Sequence, residues 1–345
     1  MGMNMVEHEE SFVFTYESFD DFQKKQNLQM GSEIDITDHY LSSDVRIRMS
    51  SVSGEATLTR KSGDKKDGYR LEDECLISKE AANLLISDNK LVVKKRRHTI
   101  NGLDSSFDKY KVTVDFIETP MKLVILEVEA ADEVGYPIPL DVTDRIFNVP
   151  LKRCPLGAWD LFKRKIAFCG APSSGKTEFA KWVSYILNTR FKANSFHVIE
   201  YATSFIQKYN RLPKFADQIF ILQGQWRRER NAQMHDIILS DCPTFLAYIY
   251  AQLMDRKEFS DEVALQLSKL YKQSLFDVKS YSDIIFLRLQ EYQDNNVRYQ
   301  TPDEALNIQR RIEEFLQDHR IPHRVGTYND AEMILAELFY INGAS

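Results

Sequence analysis

Apolar and polar residues alternate with a period of two through most of the first 130 residues. This alternation is typical of strands that bury one face, and turn dipeptides such as Ser53-Gly54 and Asn101-Gly102 separate several of the runs. The pattern predicts an antiparallel β-barrel or sheet, interrupted by a helix over Ser78–Ser87. The predicted strands are Ser11–Glu17, Asp44–Met49, Glu55–Arg60, Tyr69–Ile77, Leu91–Arg97, Lys109–Ile117 and Lys122–Ala130.

After about residue 160 the period changes. Short apolar runs alternate with long segments of helical spacing, which is typical of a parallel α/β domain. We therefore predict an N-terminal antiparallel domain over 1–145, a linker over 146–162 and a parallel α/β domain over 163–345. The predicted parallel strands are Lys165–Cys169, His197–Tyr201, Asp236–Ser240, Asp283–Leu287 and His323–Val325.

Composition restricts the class of protein. The chain has 345 residues, 43% of them hydrophobic and 28% charged, which fits a soluble globular protein with two cores. The net charge of -6 does not favour a nucleic-acid binder, although basic runs at 94–97 and 227–230 leave a local basic groove open. Four cysteines without a C-x-x-C pair, no membrane-length apolar run and an acidic N-terminus unlike a signal peptide together predict a cytoplasmic protein.

The strongest motif is the segment 170–177, which fits G-x-x-x-x-G-K-[ST] without a mismatch. An apolar strand precedes it and a helical pattern follows, so backbone amides and the helix N-terminus would bind phosphate. Lys176 would contact the β- and γ-phosphates of ATP or GTP, and Thr177 would hold Mg²⁺ or Mn²⁺. The cofactor-binding residues are Gly170, Ala171, Pro172, Ser173, Ser174, Gly175, Lys176 and Thr177.

Three further residues are candidates for catalysis beside Lys176. Asp241 ends an apolar strand, where a metal-organising carboxylate is expected, although it could instead cap a helix before Pro243. Glu200 also ends a strand and could orient or deprotonate an acceptor hydroxyl, or serve a structural hydrogen bond. Arg298 precedes a predicted helix and could close over the phosphates, or be an ordinary loop arginine.

The C-terminal half resembles the NadR-type nicotinamide riboside kinase group and its GTP-binding relatives over Lys163–Ile341. The resemblance rests on GAPSSGKT (170–177), VIEYA (198–202), DIILSDCP (236–243) and VRYQTPDE (297–304), and HRVGTYNDA (323–331) is similar to the loop that packs against the nucleotide base. The D-x-D of the family is replaced here by Asp241-Cys242-Pro243, and Thr203 stands where an arginine is common. These departures argue against nicotinamide riboside as the acceptor while leaving nucleotide binding intact.

Charged residues recur two apart on four predicted strands of the N-terminal half, as Arg46/Arg48, Glu72/Glu74, Lys94/Arg96 and Glu127/Glu129. Each pair lies on one face of its strand. A solvated face can show the same pattern, but four pairs of mixed sign suggest basic groups for a polyphosphate and acidic groups for Mg²⁺ or Mn²⁺.

These residues resemble the CYTH, or triphosphate tunnel metalloenzyme, family over residues 11–145, in YLSSDVRIR (40–48), ATLTRK (56–61), YRLEDE (69–74), VVKKR (92–96), YKVTVD (110–115), LEVE (126–129) and PIPLDVT (137–143). The family opens with an E-x-E-x-K strand, whose counterpart here is expected to be the apolar Ser11–Tyr16. Loss of those metal ligands would weaken hydrolysis. The resemblance implies phosphate contacts from Arg46, Arg48, Lys61, Lys94, Arg96 and Arg70, and metal- or water-positioning roles for Glu72, Glu74, Asp115, Glu127 and Glu129.

The sequence therefore predicts a P-loop phosphotransferase that acts on a nucleoside-like acceptor or a 5′-hydroxyl end, joined to a polyphosphate-binding tunnel domain. One alternative is a regulatory protein in which nucleotide gates the binding of a phosphorylated ligand. Another is a tunnel-domain triphosphatase with an accessory P-loop domain. The sequence leaves the acceptor, the choice of ATP or GTP and the oligomeric state open.

Overall fold

The computed structural model describes residues 4–7, 9–50, 56–62, 70–87, 89–101, 103, 110–130, 142–254, 260–290 and 300–343. The chain forms two compact units. The first unit comprises Met1–Lys163, Thr189–Ala193 and Leu335–Ser345, and the second comprises Arg164–Asn188 and Asn194–Ile334. The C-terminal segment is therefore assigned to the same unit as the N-terminal half.

The first unit contains a large, mainly antiparallel sheet. Its strands are β1 (Asn4–Glu7), β2 (Glu9–Phe14), β3 (Gln29–Tyr40), β4 (Val45–Ser50), β5 (Ala56–Ser62), β6 (Arg70–Ile77), β7 (Leu91–Asn101), β8 (Tyr110–Thr119), β9 (Leu123–Ala130) and β15 (Ile341–Asn342). Their order is β1-β6-β5-β4-β3-β7-β8-β9-β2-β15. The helices of this unit are α1 (Tyr16–Gln26), α2 (Lys79–Ile86), α3 (Val142–Phe147) and α4 (Ala158–Phe162).

The strand order has an unusual relation to the sequence. β1 pairs with β6, and β2 pairs with β9 near the other end of the order. Yet β1 ends at Glu7 and β2 begins at Glu9, so a single residue separates them along the chain. β1, at one end of the ten-strand order, is thus nearly continuous in sequence with β2, the strand next to the other end.

Most of the predicted strands lie where the alternation indicates, with bounds shifted by a few residues. The prediction missed β3 and α1. The apolar spacing of α1 is carried by Phe19 and Phe22, which are buried against Phe14 and Phe147. Thr15 caps the helix: its side chain accepts a hydrogen bond from the Ser18 backbone amide at 3.0 Å, a local capping signal.

β15 is short, but one buried side chain anchors it. The Asn342 amide donates to the backbone oxygens of Val13 and Lys152, both at 3.0 Å, and its oxygen accepts from the Lys152 backbone amide at 2.6 Å. Asn342 is only 7% exposed, so removing its amide group would leave buried backbone groups unpaired.

We expect Asn342→Ala to destabilise the first unit by about 1–3 kcal/mol. Trp159 lies in this unit, whereas Trp182 and Trp226 lie in the second unit. Urea unfolding followed by Trp159 fluorescence, with the other two tryptophans changed to phenylalanine, measures the effect. Asn83→Ala, at an exposed position of α2, is the control and should change stability little; equal effects of the two substitutions would contradict the anchoring role.

The second unit is built on a parallel sheet of five strands, as the sequence predicted. Its strands are β10 (Arg164–Gly170), β11 (Ser195–Val198), β12 (Ile237–Ser240), β13 (Asp283–Leu287) and β14 (Arg324–Gly326), in the order β11-β12-β10-β13-β14. All four pairings are parallel. The helices that follow along the chain are α5 (Lys176–Thr189), α6 (Tyr201–Tyr209), α7 (Gln218–Asn231), α8 (Leu246–Leu253), α9 (Asp261–Asp277), α10 (Pro302–Asp318) and α11 (Ala331–Leu338).

The order of these strands positions the functional residues. Central β10 is fully buried at Ile166, Phe168 and Cys169, and it ends directly at the phosphate motif. The carboxyl ends of parallel strands meet at one edge, where ligands bind in open α/β sheets. No helix among the described residues is both long and apolar enough to span a membrane.

Candidate nucleotide site and charged cavity

The phosphate motif forms a loop between β10 and α5. β10 ends at Gly170 and α5 begins at Lys176. Gly175 has a φ of 81°, which favours glycine, and a Cβ on Gly170 would approach the Leu287 carbonyl oxygen to 2.3 Å. The two glycines of the motif are therefore required by the backbone, and the loop leads into the N-terminus of a 14-residue helix.

Lys176 is held inside this loop. Its ammonium group donates to the Ala171 carbonyl oxygen at 2.6 Å. Burial lowers the pKa of Lys176, while the nearby charges of Glu200 and Asp241 act in the opposite direction. The ammonium is thus surrounded by acidic groups at the point where phosphates would enter.

Asp241 follows the last residue of β12 and is buried, with its side chain 1% exposed. Neither carboxylate oxygen has a hydrogen-bond partner within the described part of the chain. A buried carboxylate without partners is costly, which fits a group that binds a cation. No cluster of three or more His, Cys, Asp or Glu side chains suited to a metal occurs among the described residues.

The loop opens into one cavity of about 490 Å³. Glu200 lines this cavity together with Asp241, and its carboxylate accepts a hydrogen bond from the Thr203 hydroxyl at 2.9 Å. The cavity therefore joins a phosphate loop to a compartment of nucleoside size with a largely apolar wall. That wall includes Ile206, Leu212, Ile221, Leu222, Leu246, Ala247 and Tyr250.

The predicted residues of the motif take two positions. Those that line the cavity are Pro172, Ser173, Gly175, Lys176 and Thr177. The buried back of the loop consists of Gly170, Ala171 and Ser174. Arg298 lies outside the described residues.

Two further residues of this region were not among the predicted site residues. His197 approaches Asp241 from β11, and the ring of Tyr328 lies close to Gly175, where an added Cβ would be 3.2 Å from it. Tyr328 belongs to the segment 323–331 that resembles a base-packing loop, so its position is compatible with that resemblance. His197 has no motif around it and could be found only from the register of β11 on β12.

The first unit contains a second, strongly charged cavity of about 260 Å³, lined by strands β2 to β9 and by residues 154–162. Eight of the predicted binding residues line it, five acids and three cations. They are Arg46, Arg48, Lys61, Glu72, Glu74, Asp115, Glu127 and Glu129.

Lys94 and Arg96 do not line this cavity; Lys95 and Arg97 do. Lys94 is exposed, and Arg96 pairs with exposed Glu118 at 3.3 Å. Because 94–97 are all basic, the alternation of the sequence could not show which pair faces inward, and a one-residue change of register exchanges the faces.

Buried acids neutralise the inward cations. Asp38, which the sequence did not single out, receives two hydrogen bonds from Arg48 at 2.8 and 3.0 Å. Burial alone would raise the pKa of Asp38, but the charges of Arg48 and Arg46 outweigh it and lower that pKa well below its usual range. Asp115 in turn accepts from Lys95 and Arg97.

The first strand required a correction. The sequence suggested an apolar counterpart of E-x-E-x-K at Ser11–Tyr16, but β2 begins at Glu9, and Glu9 lines the cavity. An acid is therefore retained on this strand, and Ser11 stands two residues further on. Burial and then the charge of Glu9 raise the pKa of Glu127, so acidic groups are crowded at this end of the cavity.

Comparisons with known proteins give one family match and several similar structures. Residues 165–328 match the family model of an AAA domain, which confirms the P-loop domain. Similar solved structures include the NadR protein in complex with NAD and AMP-PNP (16% identity, 53% of this chain and 51% of that chain, TM-score 0.42) and deoxyadenosine kinase from M. mycoides (18%, 51% and 100%, 0.36). A third is the inorganic triphosphatase NE1496 (19%, 38% and 83%, 0.22). A comparison with curated proteins gives no match.

Proposed function

We propose that the second unit is a P-loop kinase that transfers the γ-phosphoryl group of ATP or GTP to a hydroxyl of a small nucleoside-like acceptor or a 5′-hydroxyl end. The observation that carries the proposal is the cavity of about 490 Å³, because one space contains Lys176 and Thr177 of the phosphate loop, both carboxylates and an apolar wall. Such a space can hold donor phosphates beside an acceptor, and positioning supplies much of the catalysis of phosphoryl transfer.

Each residue has a proposed part in the reaction. Lys176 moves from the Ala171 carbonyl to the donor phosphates, and Glu200 accepts the proton of the attacking hydroxyl. The acceptor oxygen then bonds to the γ-phosphorus as the nucleoside diphosphate leaves. A bound Mg²⁺ would neutralise phosphate charge, and Thr177 and the unpartnered oxygens of Asp241 would hold it.

For the first unit we propose a polyphosphate-binding tunnel with little or no hydrolysis. β1 and β2 would form one first strand that closes the sheet around the charged cavity, since one residue separates them and they pair with β6 and β9. Ser11 supplies no charge for a phosphate, and the inward cations already have acidic partners, which favours binding over turnover. None of the four cysteines, all in the described part of the chain, forms a disulfide, in keeping with the proposed cytoplasmic location.

The test is product analysis with γ-labelled ATP and GTP, Mg²⁺ or Mn²⁺, and a panel of nucleosides and 5′-hydroxyl oligonucleotides. Wild type, Lys176→Ala and Glu127→Ala are compared. We expect label on an acceptor with wild type and Glu127→Ala, but not with Lys176→Ala. Free phosphate that disappears only with Glu127→Ala would assign the chemistry to the tunnel instead, and binding without turnover in every sample would leave the regulatory alternative.

A further inference from the structure

His197 lies directly beside the carboxylate that the proposed metal needs. β11 and β12 run parallel, with His197 opposite Leu239. Asp241 is two residues beyond Leu239 and therefore on the same face as His197. The imidazole Nε2 is 3.0 Å from Asp241 Oδ2, and the two side chains are 10% and 1% exposed.

This contact is close but incomplete. At 3.0 Å its direction is not that of a hydrogen bond, and neither His197 Nε2 nor either oxygen of Asp241 has a hydrogen-bond partner in the portion of the chain described. A rotation of the imidazole ring would direct its Nε2–H at Oδ2 and leave Oδ1 available to another group. His197 Nε2 and the Asp241 carboxylate are thus in contact, buried and without hydrogen-bond partners among the described residues. Such groups normally have partners, so we expect them to gain hydrogen bonds or a bound cation when Asp241 takes up a ligand.

We propose that His197 is a positioning residue that donates a hydrogen bond to Oδ2 of Asp241 and so presents Oδ1 to the divalent cation of the bound nucleotide. This inference rests on the nucleotide function proposed above. Carboxylates that bind metals are commonly fixed by such a second hydrogen bond.

The location of His197 supports this indirect role. His197 does not line the cavity of about 490 Å³, whereas Asp241 does, so the imidazole reaches the nucleotide only through Asp241. Asp241 lies just beyond the end of β12, outside the strand pairing. His197 of the adjacent strand β11 can therefore help to fix the orientation of the Asp241 carboxylate.

The experiment measures binding rather than turnover. A fluorescent ATP analogue and its GTP counterpart are titrated against the full chain in EDTA and over a range of Mg²⁺ concentrations, and Mn²⁺ binding is followed by electron paramagnetic resonance. The variants are His197→Ala, His197→Gln and the control His235→Ala. His235 is a second histidine near the same strand, stacked on Phe196 and bonded to Asn194 rather than to Asp241.

Mg²⁺ should increase the affinity for nucleotide, and the Mg²⁺ concentration that gives half of this increase is the midpoint. We expect His197→Ala to raise this midpoint by about 10- to 100-fold and to leave the nucleotide affinity in EDTA unchanged. His197→Gln should recover most of the loss, because its amide can donate to the same oxygen. His235→Ala should match wild type.

Two results would overturn the positioning role. One is an unchanged Mg²⁺ midpoint in His197→Ala, and the other is an equal loss of affinity with and without metal, which indicates a structural role only. If wild type itself shows no Mg²⁺-dependent nucleotide binding, the proposed function fails and the inference fails with it. If wild type binds MgATP but transfers no phosphoryl group, the kinase proposal alone fails, and the shifted midpoint still supports His197.

Discussion

Lys176→Ala is expected to lower kcat/KM for phosphoryl transfer by about 100- to 1000-fold, the usual effect of removing one group that stabilises transition-state charge. The ammonium of half-buried Lys176 is held in the phosphate loop by the Ala171 carbonyl at 2.6 Å. Entering phosphates would replace that carbonyl with charged oxygens, so the interaction strengthens as negative charge develops. Alanine leaves the loop backbone in place but removes this charge.

The control for this prediction lies on the same helix. Lys181→Ala removes an ammonium that is 53% exposed and pairs with Glu178 at 2.7 Å, one turn further along α5. Steady-state kinetics at saturating acceptor, together with nucleotide titration, compare the two variants. Lys181→Ala should behave as wild type, and a similar loss in both variants would refute a specific role for Lys176.

Asp115→Asn is expected to destabilise the first unit by about 3–5 kcal/mol, because it removes the carboxylate closest to buried Lys95 and shared with Arg97. Asp115 is 1% exposed and accepts from Lys95 and from two nitrogens of Arg97, at 2.6 and 2.7 Å for the latter. Asparagine keeps the shape but supplies no charge and only one acceptor oxygen. Urea unfolding followed by Trp159 fluorescence, as for Asn342, measures the loss.

Glu118→Gln is the matched control in the same strand. Glu118 pairs with Arg96 at 3.3 Å, but the two side chains are 52% and 43% exposed. Exposed pairs contribute about 0–1 kcal/mol, so this substitution should have a small effect. Comparable destabilisation by both substitutions would mean that burial of the Asp115 cluster is not what stabilises the unit.

The stability that Asp115 contributes is also expected to depend on pH. Burial would raise the pKa of Asp115, but the charges of Lys95 and Arg97 outweigh it and lower the folded-state pKa. A lowered carboxyl pKa stabilises the fold above the unfolded pKa of about 3.9, and this stabilisation is lost as the pH falls towards the folded value. The difference in the free energy of unfolding between wild type and Asp115→Asn should therefore be largest near neutral pH and become smaller below about pH 4.

The sequence predicted best what depends on local pattern. The phosphate loop and the five parallel strands were found because a motif and short apolar runs are both properties of neighbouring residues. The sequence did not show that Lys95 and Arg97 of β7 face the cavity. All four residues of 94–97 are basic, so either alternating pair fits the pattern, and only the pairing of β7 with its neighbouring strands selects one. The contact of His197 with Asp241 depends on the register of two strands about forty residues apart.

The late position of β15 in the sequence also affects how the chain folds during its synthesis. Asn342 is 329 residues from Val13, the residue of β2 to which its amide is bonded. At about 5–20 residues per second, the ribosome adds that partner on the order of tens of seconds after β2 has emerged. Throughout that interval β2 lacks its β15 partner at Val13 and Phe14, and unpaired strand edges can pair with other chains. Nascent chains stopped before residue 341 would keep this edge open, and we expect them to depend on chaperones far more than the full-length chain does.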